Sequence, residues 1–186
     1  MSTIATTSPF TGRWTADREH STVQAGVRHM GVGSFRTTFE DVTARLTQRP
    51  DGGLSLAGHV SVASIAIHTP AEFRAHVVEG EGFFAAARHP EITFASSDVR
   101  LAQDGTADVH GELTIKGITH PIAAQGTYAG PVEDIYGRLR GALNLTAVID
   151  RRAFGLTWQA PLPGGGEVVS WDVELQVHLE IVQEND

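Results

Sequence analysis

The chain has no cysteine in its 186 residues. That excludes disulfides, thiolate nucleophiles and thiolate metal sites, and it leaves the redox compartment open. Cations are scarce as well: 14 Lys and Arg stand against 22 Asp and Glu, a formal charge of −8 with histidine neutral. They are scattered, with no run longer than Arg151-Arg152. This argues against nucleic-acid binding, which needs clustered cations to displace counterions. No apolar stretch approaches the length of a membrane span. Met1 to Pro9 lacks the basic and apolar regions of a secretory leader, so a cytoplasmic location is expected. There is no Gly-x-Ser-x-Gly nucleophile elbow and no His-Glu-x-x-His pair. Gly164-Gly165-Gly166 lacks the Lys-Ser/Thr that would make it a phosphate cradle, and it reads as a hairpin loop between Pro163 and the last strand.

What is present is turn chemistry and alternation. Twenty glycines fall mostly between apolar runs, and 41% hydrophobic residues suffice for a sizeable core. Val23, Ala25, Val27 and His29 alternate with Thr22, Gln24, Gly26 and Arg28, the period of a half-buried strand. The last segment is the clearest: Val173, Leu175, Val177, Leu179 and Ile181 alternate with Asp172, Glu174, Gln176, His178 and Glu180. One face is packed and one is wet. Further strands are expected over 35–48, 54–67, 91–101, 106–116, 121–131 and 136–150. A parity change between Val62 and Ile65 predicts a bulge near Ala63-Ser64. Thr69-Pro70-Ala71-Glu72 reads as a capping box opening a short helix over about 70–79. Eight antiparallel strands with hairpin-length connections predict a lipocalin-like β-barrel, wide enough for one ligand. The expected layout is a flexible lead over 1–12 and one barrel domain over 13–183.

Nine histidines invite a metal or general-base reading, but none has a recognisable ligand spacing. His68 and His76 could be ligands only through folding that the sequence does not show, and no metal is expected. Strand parity places His29 on the face of Val23, Ala25 and Val27, where it is either a rim histidine or a ligand contact. Asp150-Arg151-Arg152 reads as an ion pair bracing a strand end rather than an anion clamp. Phe83, Phe84, Phe94, Phe154, Trp158 and Trp171 gather in or beside loops and strand ends. For Phe94 and Trp171 the ordinary-core reading is the stronger one. Of the adjacent Phe83 and Phe84, one is expected to face the core and the other a cavity mouth.

Several ordered motifs resemble one family. They are Trp14-Thr15-Ala16-Asp17 leading to His20-Ser21; Val27-Arg28-His29-Met30; Phe83-Phe84 running through His89-Pro90-Glu91-Ile92-Thr93-Phe94 to Ser97; Gly111-Glu112-Leu113-Thr114-Ile115-Lys116-Gly117-Ile118-Thr119; and Asp150-Arg151 with Phe154-Gly155. Together they resemble the YceI-like family of lipocalin-like barrels, from about Trp14 to Ile181. The resemblance implies a polyisoprenoid-type lipid held inside the barrel; some members of that family are periplasmic. The family's helix commonly reads Arg-Asp-x-His-Leu, whereas Arg74-Ala75-His76-Val77-Val78 keeps only the arginine. In Phe35-Arg36-Thr37-Thr38-Phe39, threonine replaces the glycine usual after the arginine.

The leading reading is a non-enzymatic carrier of an isoprenoid-type lipid, either a polyprenyl chain or an isoprenoid quinone, with no cofactor. The expected lining is Val27, His29, Arg74, His76, Phe83, Phe84, Phe94, Phe154, Trp158, Leu175 and Val177. The tail should lie deep, with the polar end near Arg74, His76 and His29. The alternative is a small-molecule enzyme using the cavity, with His29 or His76 as acid/base. A weaker third reading is a structural or stress protein with a filled core. A hydrophobic small molecule is the expected partner, with no nucleic acid, no membrane span, and a homodimer left open.

Overall fold

The structure, a computed structural model, describes residues 8–184. Its strands are β1 (Arg13–Ala16), β2 (Thr22–His29), β3 (Gly33–Phe39), β4 (Val42–Gln48), β5 (Leu54–Ser61), β6 (Glu91–Leu101), β7 (Thr106–Ile115), β8 (Ile118–Glu133), β9 (Leu139–Asp150) and β10 (Val169–Gln183). One helix, α1 (Ala71–Glu79), lies between β5 and β6. All ten strands join one antiparallel sheet in the order β1-β4-β5-β6-β7-β8-β9-β10-β2-β3, which β1 and β10 close by pairing. β1 and β2 are two pieces of one strand path, and so are β3 and β4, because β1 pairs β4 while β2 pairs β3. Counted by path there are eight strands, forming an up-and-down barrel as expected.

Closure depends on β10. From Asp172 to Val182 it pairs without interruption with β9 on one side. On the other side it pairs with β2 through Val173↔Val27 and Leu175↔Ala25, then with β1 through Ile181↔Ala16. Its alternation sends Val173, Leu179 and Ile181 into the core and leaves Glu174 and His178 exposed. The β7–β8 connection is the two-residue Lys116-Gly117, both at positive φ (53° and 73°) with Ile115 paired to Ile118. That backbone twist matches the twist of the strands it joins, and it favours glycine at the second position.

Two local expectations need correction. The third strand does not run to Ile67 through a bulge. It ends at Ser61, and Val62–Ser64 is a 3-10 turn in which the Ser64 hydroxyl donates to the Ser61 carbonyl at 2.7 Å. Ile65 returns only as an isolated bridge to Phe39. The capping box does not form either. Pro70 occupies the N-cap position, its carbonyl accepting from the Phe73 and Arg74 N–H groups, and no side chain caps the helix. Thr69 stands one residue too early for its hydroxyl to reach the first turn.

Of the lead expected over 1–12, residues 1–7 lie outside the described residues. Residues 8–12 are placed, and Phe10 is fully buried. Its ring meets Trp14 edge-on at 5.1 Å and Tyr128 at 6.0 Å. It sits over Gly141, where a Cβ would collide with it. With Leu46, Leu143 and Ile181, also at 0% exposure, it forms a dry stopper at one end of the barrel. The other end is covered by Val77 and Val78 of α1, and by Phe84 against Phe39 at 6.0 Å.

Truncation should separate the packed from the open interior. Leu179→Ala, at a position 4% exposed, should cost about 2–5 kcal/mol. Leu175→Ala should cost less, because Leu175 is only half-buried, and Glu174→Ala should be nearly silent. Urea denaturation of the three variants checks the order.

Candidate functional site

The register points Ile92 and Phe94 of β6, Ile122 and Ala124 of β8, Ala147 of β9, and Leu175 and Val177 of β10 into the barrel. All seven are only half-buried. They border a cavity of about 150 Å³ at mid-barrel, whose lining also includes Phe39, Val42, Leu56, Val60, Val109, Leu145 and Leu179. The space exists because several inward positions carry little side chain: Ala44, Gly58, Ala124 and Ala147. At Gly58 the missing Cβ would meet the Thr43 carbonyl at 2.6 Å, so the backbone itself forms that part of the wall. His59, beside it on the outward face, lies 3.8 Å from Glu91. Among the described residues no Asp, Glu, Lys or Arg lines the cavity, and His59 is the one histidine that borders it. An apolar cavity of this kind stays dry and takes apolar guests.

One polar atom faces the interior without a partner. Thr37 is 8% exposed and its hydroxyl makes no hydrogen bond. It lies on the inward row Ala147–Leu175–Ala25–Thr37 across β9, β10, β2 and β3. Sequence reasoning missed it as an interior group. The available signal was Thr37 standing two residues from Phe35 and from Phe39, which share its strand face.

Of the expected lining, Phe94, Leu175 and Val177 border the cavity, and Phe94, for which ordinary core was the stronger reading, stands at its wall. The remaining expected residues stand outside the lining. Val27 and Phe154 pack in a second apolar cluster with Leu113, Ile115, Ile149, Leu156 and Val173. His29 is exposed at the end of β2, opposite Gly33 and Val169. Its parity holds, but the strand outruns the cavity. Arg74 donates to the Ala63 carbonyl, which fastens α1 to the turn before it. His76 is exposed on α1, edge-on to Phe83 at 5.2 Å and to Trp158 at 6.0 Å. Phe83 stacks on Trp158 at 5.2 Å, so this aromatic cluster joins α1 to the segment after β9 instead of opening a mouth. The structure does not bring His29, Arg74 and His76 together at the cavity.

The charged residues of the late motif brace the frame. Asp150 and Arg152 form a bidentate ion pair with its closest contact at 2.6 Å. Arg151, 4% exposed, donates to the carbonyls of Ser170 (2.9 Å), Leu156 (2.6 Å) and Val169 (3.3 Å), and its guanidinium lies 4.2 Å above the Trp171 ring. Burial draws its pKa below the ordinary arginine value. Trp171 is thus a platform for Arg151, not core.

Asp17, His20 and Glu180 converge closely enough to hold an ion. The Arg140 guanidinium already fills that position, 2.8 Å from Asp17 and 2.5 Å from Glu180, and its Nε lies 2.8 Å from Asp134. A fixed cation at the centre of three carboxylates opposes a second one.

Geometrically this is a closed antiparallel barrel around a charge-free apolar cavity. The chain belongs to the YceI-like domain family, whose pattern matches residues 14–181. It is 27% identical to a UPF0312 protein of Pseudomonas savastanoi pv. phaseolicola over 173 residues, 89% of this chain and 82% of that one. A UPF0312 protein of Ectopseudomonas mendocina is 26% identical over 141 residues, 75% of this chain and 73% of the relative. Among solved structures, Burkholderia cenocepacia BcnA superposes with a TM-score of 0.71 at 24% identity, covering 89% of this chain and 98% of that one. A polyisoprenoid binding domain from Saccharophagus degradans, implicated in plant cell wall breakdown, superposes with a TM-score of 0.68 at 13% identity, covering 92% and 98%.

The Arg140 network predicts a pH effect. The Arg140 guanidinium first, then the backbone N–H groups of Arg138 and Tyr136, hold the Asp134 carboxyl well below its ordinary value of 3.8. A depressed folded-state pKa contributes stability that is present above the ordinary value and lost as pH falls below it. Asp134→Asn should therefore be less stable than wild type at neutral pH. The gap should close as pH falls from about 4 toward 2, as followed by urea denaturation.

Proposed function

We propose that this protein binds the apolar chain of an isoprenoid-type lipid inside the barrel and carries it without chemically altering it. The charge-free cavity at mid-barrel is the observation that carries the reading. Phe94, Leu175 and Val177 supply the tail contacts. The Saccharophagus domain, described as polyisoprenoid binding, has the same fold and supports the choice of ligand class. The enzymatic alternative relied on His29 or His76, and neither lines the cavity or pairs with a carboxylate.

The cavity's size sets a limit. About 150 Å³ admits a guest the size of a benzene ring. The first buried isoprene units therefore contribute most, at about 0.8 kcal/mol per methylene, and later ones add less unless the wall opens.

Titrating prenyl alcohols of increasing length should show affinity rising several-fold or more with the first added unit and then flattening. Organic extraction of protein purified from cells, followed by mass spectrometry, should recover an isoprenoid. Absence of saturable binding for the whole series would end the reading.

A further inference from the structure

The barrel wall is split between β8 and β9. Their pairing runs from the β9 start down to Gln125↔Thr146 and stops there. Both strands continue: β8 back to Ile118, paired only with β7, and β9 on to Asp150, paired only with β10. The upper limit of the split is fixed. The Thr146 hydroxyl donates to the Gln125 carbonyl at 3.2 Å, and at Gly126 a Cβ would collide with the Asn144 carbonyl. The lower limit is the turn Arg151–Phe154, which reaches across to β8 through His120 Nε2 and the Ala153 carbonyl at 3.0 Å. Between these limits the inward positions next to the last pair are small, Ala124 on β8 and Ala147 on β9, followed by the larger Ile122 and Ile149.

At the split an inner and an outer space meet the same residues. Thr146, Ala147 and Leu175 line the interior cavity, and the same three residues line a recess on the outer surface with Ala123, Gln125, Val148, Glu174 and Gln176. Ala147 and Leu175, whose side chains point inward, thus border both the cavity and the outer recess at the height where β8 and β9 part. Neither barrel end offers a comparable path, one being stoppered by Phe10 and Trp14 and the other covered by α1 and Phe84.

We infer that the β8–β9 split is the lateral portal of the binding site, and that the outer recess seats the ligand's polar end, selecting an uncharged hydrogen-bonding group over a diphosphate. This rests on the lipid-binding reading. The tail passes between Ala124 and Ala147 into the cavity, and the head remains outside, among Gln125, Thr146, Glu174 and Gln176. These offer amide and hydroxyl donors and acceptors that suit an alcohol or a quinone carbonyl. The single charge lining the recess is the Glu174 carboxylate, and among the described residues no ion pair neutralises it. Arg36, the nearest cation along that row, lies over Gly26 and does not line the recess. A diphosphate there would face a like charge and no guanidinium fork.

Farnesol and farnesyl diphosphate, which share one tail, are the probes, used with the full chain in equilibrium and stopped-flow titrations. Wild type should bind farnesol about tenfold or more tightly than the diphosphate, and Glu174→Lys should move that ratio toward the diphosphate by about tenfold. Ala147→Trp should slow association of farnesol about tenfold or more by blocking the split, and Ala124→Trp should do the same from the other strand. Circular dichroism and melting identify any variant that fails to fold, in which case the other decides. Wild-type association rates in a folded plug variant would overturn the portal. A wild type that prefers the diphosphate, or a ratio unmoved in Glu174→Lys, would overturn the head-group assignment. If wild type binds neither probe, the lipid-binding reading itself fails, an outcome distinct from both.

Discussion

The barrel depends on β10 finding partners along both edges. One strand pairs with β9 from Asp172 to Val182 while its opposite edge is shared between β2 and β1. A sheet of this length left open would expose two rows of unpaired backbone groups, each an invitation to another chain. Closing on itself removes the rows and fixes which face is inside, because a shift of one residue would turn every inward side chain outward. β10 can serve both edges because its alternation persists over the whole strand, and because the break at residues 17–21 lets the first strand path bend around it. The two clusters, one around Trp14 and Leu143 and one around Phe154 and Val173, then meet at mid-barrel.

They do not meet completely. A core built for stability alone would fill the space beside Phe94 and Leu175, since a wall atom with no neighbour forgoes its dispersion contacts. Here Ala44, Gly58, Ala124 and Ala147 leave room, and Thr37 keeps a hydroxyl without a partner, a loss of about 1–3 kcal/mol for a buried polar group. Both the stopper and the frame ties are, by contrast, tightly made: Phe10 at 0% exposure, and Arg151 on three carbonyls. Local departures from good packing inside an otherwise consistent fold are where function is expected.

What the sequence disclosed follows from how local each signal is. Alternation in 172–181 and the glycines between apolar runs are read from adjacent residues, so the strand count and the barrel class were legible. The turn at Val62–Ser64 was visible as a parity change, but its form was not, since a bulge and a turn both shift parity by one. The helix start at Ala71 departed from the capping box because Pro70, not Thr69, took the cap position. The site was harder. Phe83, Trp158 and His76 were expected in the lining, yet Phe83 stacks on Trp158, a contact between residues far apart in the chain, and His76 meets both edge-on. Parity gave His29 the correct face, but nothing local shows how far a cavity extends along a strand. The small residues Ala124 and Ala147 were in plain view and carried no motif. Their meaning depends on β8 and β9 parting at that height.

The motifs that mark the family secure the frame at most of their positions, while Ile92, Phe94, Leu113 and Ile115 among them reach the cavity wall. Trp14 belongs to the stopper. Lys116 donates to the carbonyls of Glu81 and Gly155, at 2.7 and 3.0 Å, and thereby ties the segment after α1 to the turn after β9. Gly155 accepts a left-handed conformation at φ 70° to end that turn, and Arg151 fastens it to β10. These are demanding positions, each satisfiable by one or two residue types, so they form recognisable patterns. The cavity wall asks only for apolar bulk in some places and its absence in others, a requirement that many residues meet. Kinship in this family therefore identifies the barrel through its framework. The ligand must be argued from the cavity, from what lines it, and from the stretch where β8 and β9 no longer pair.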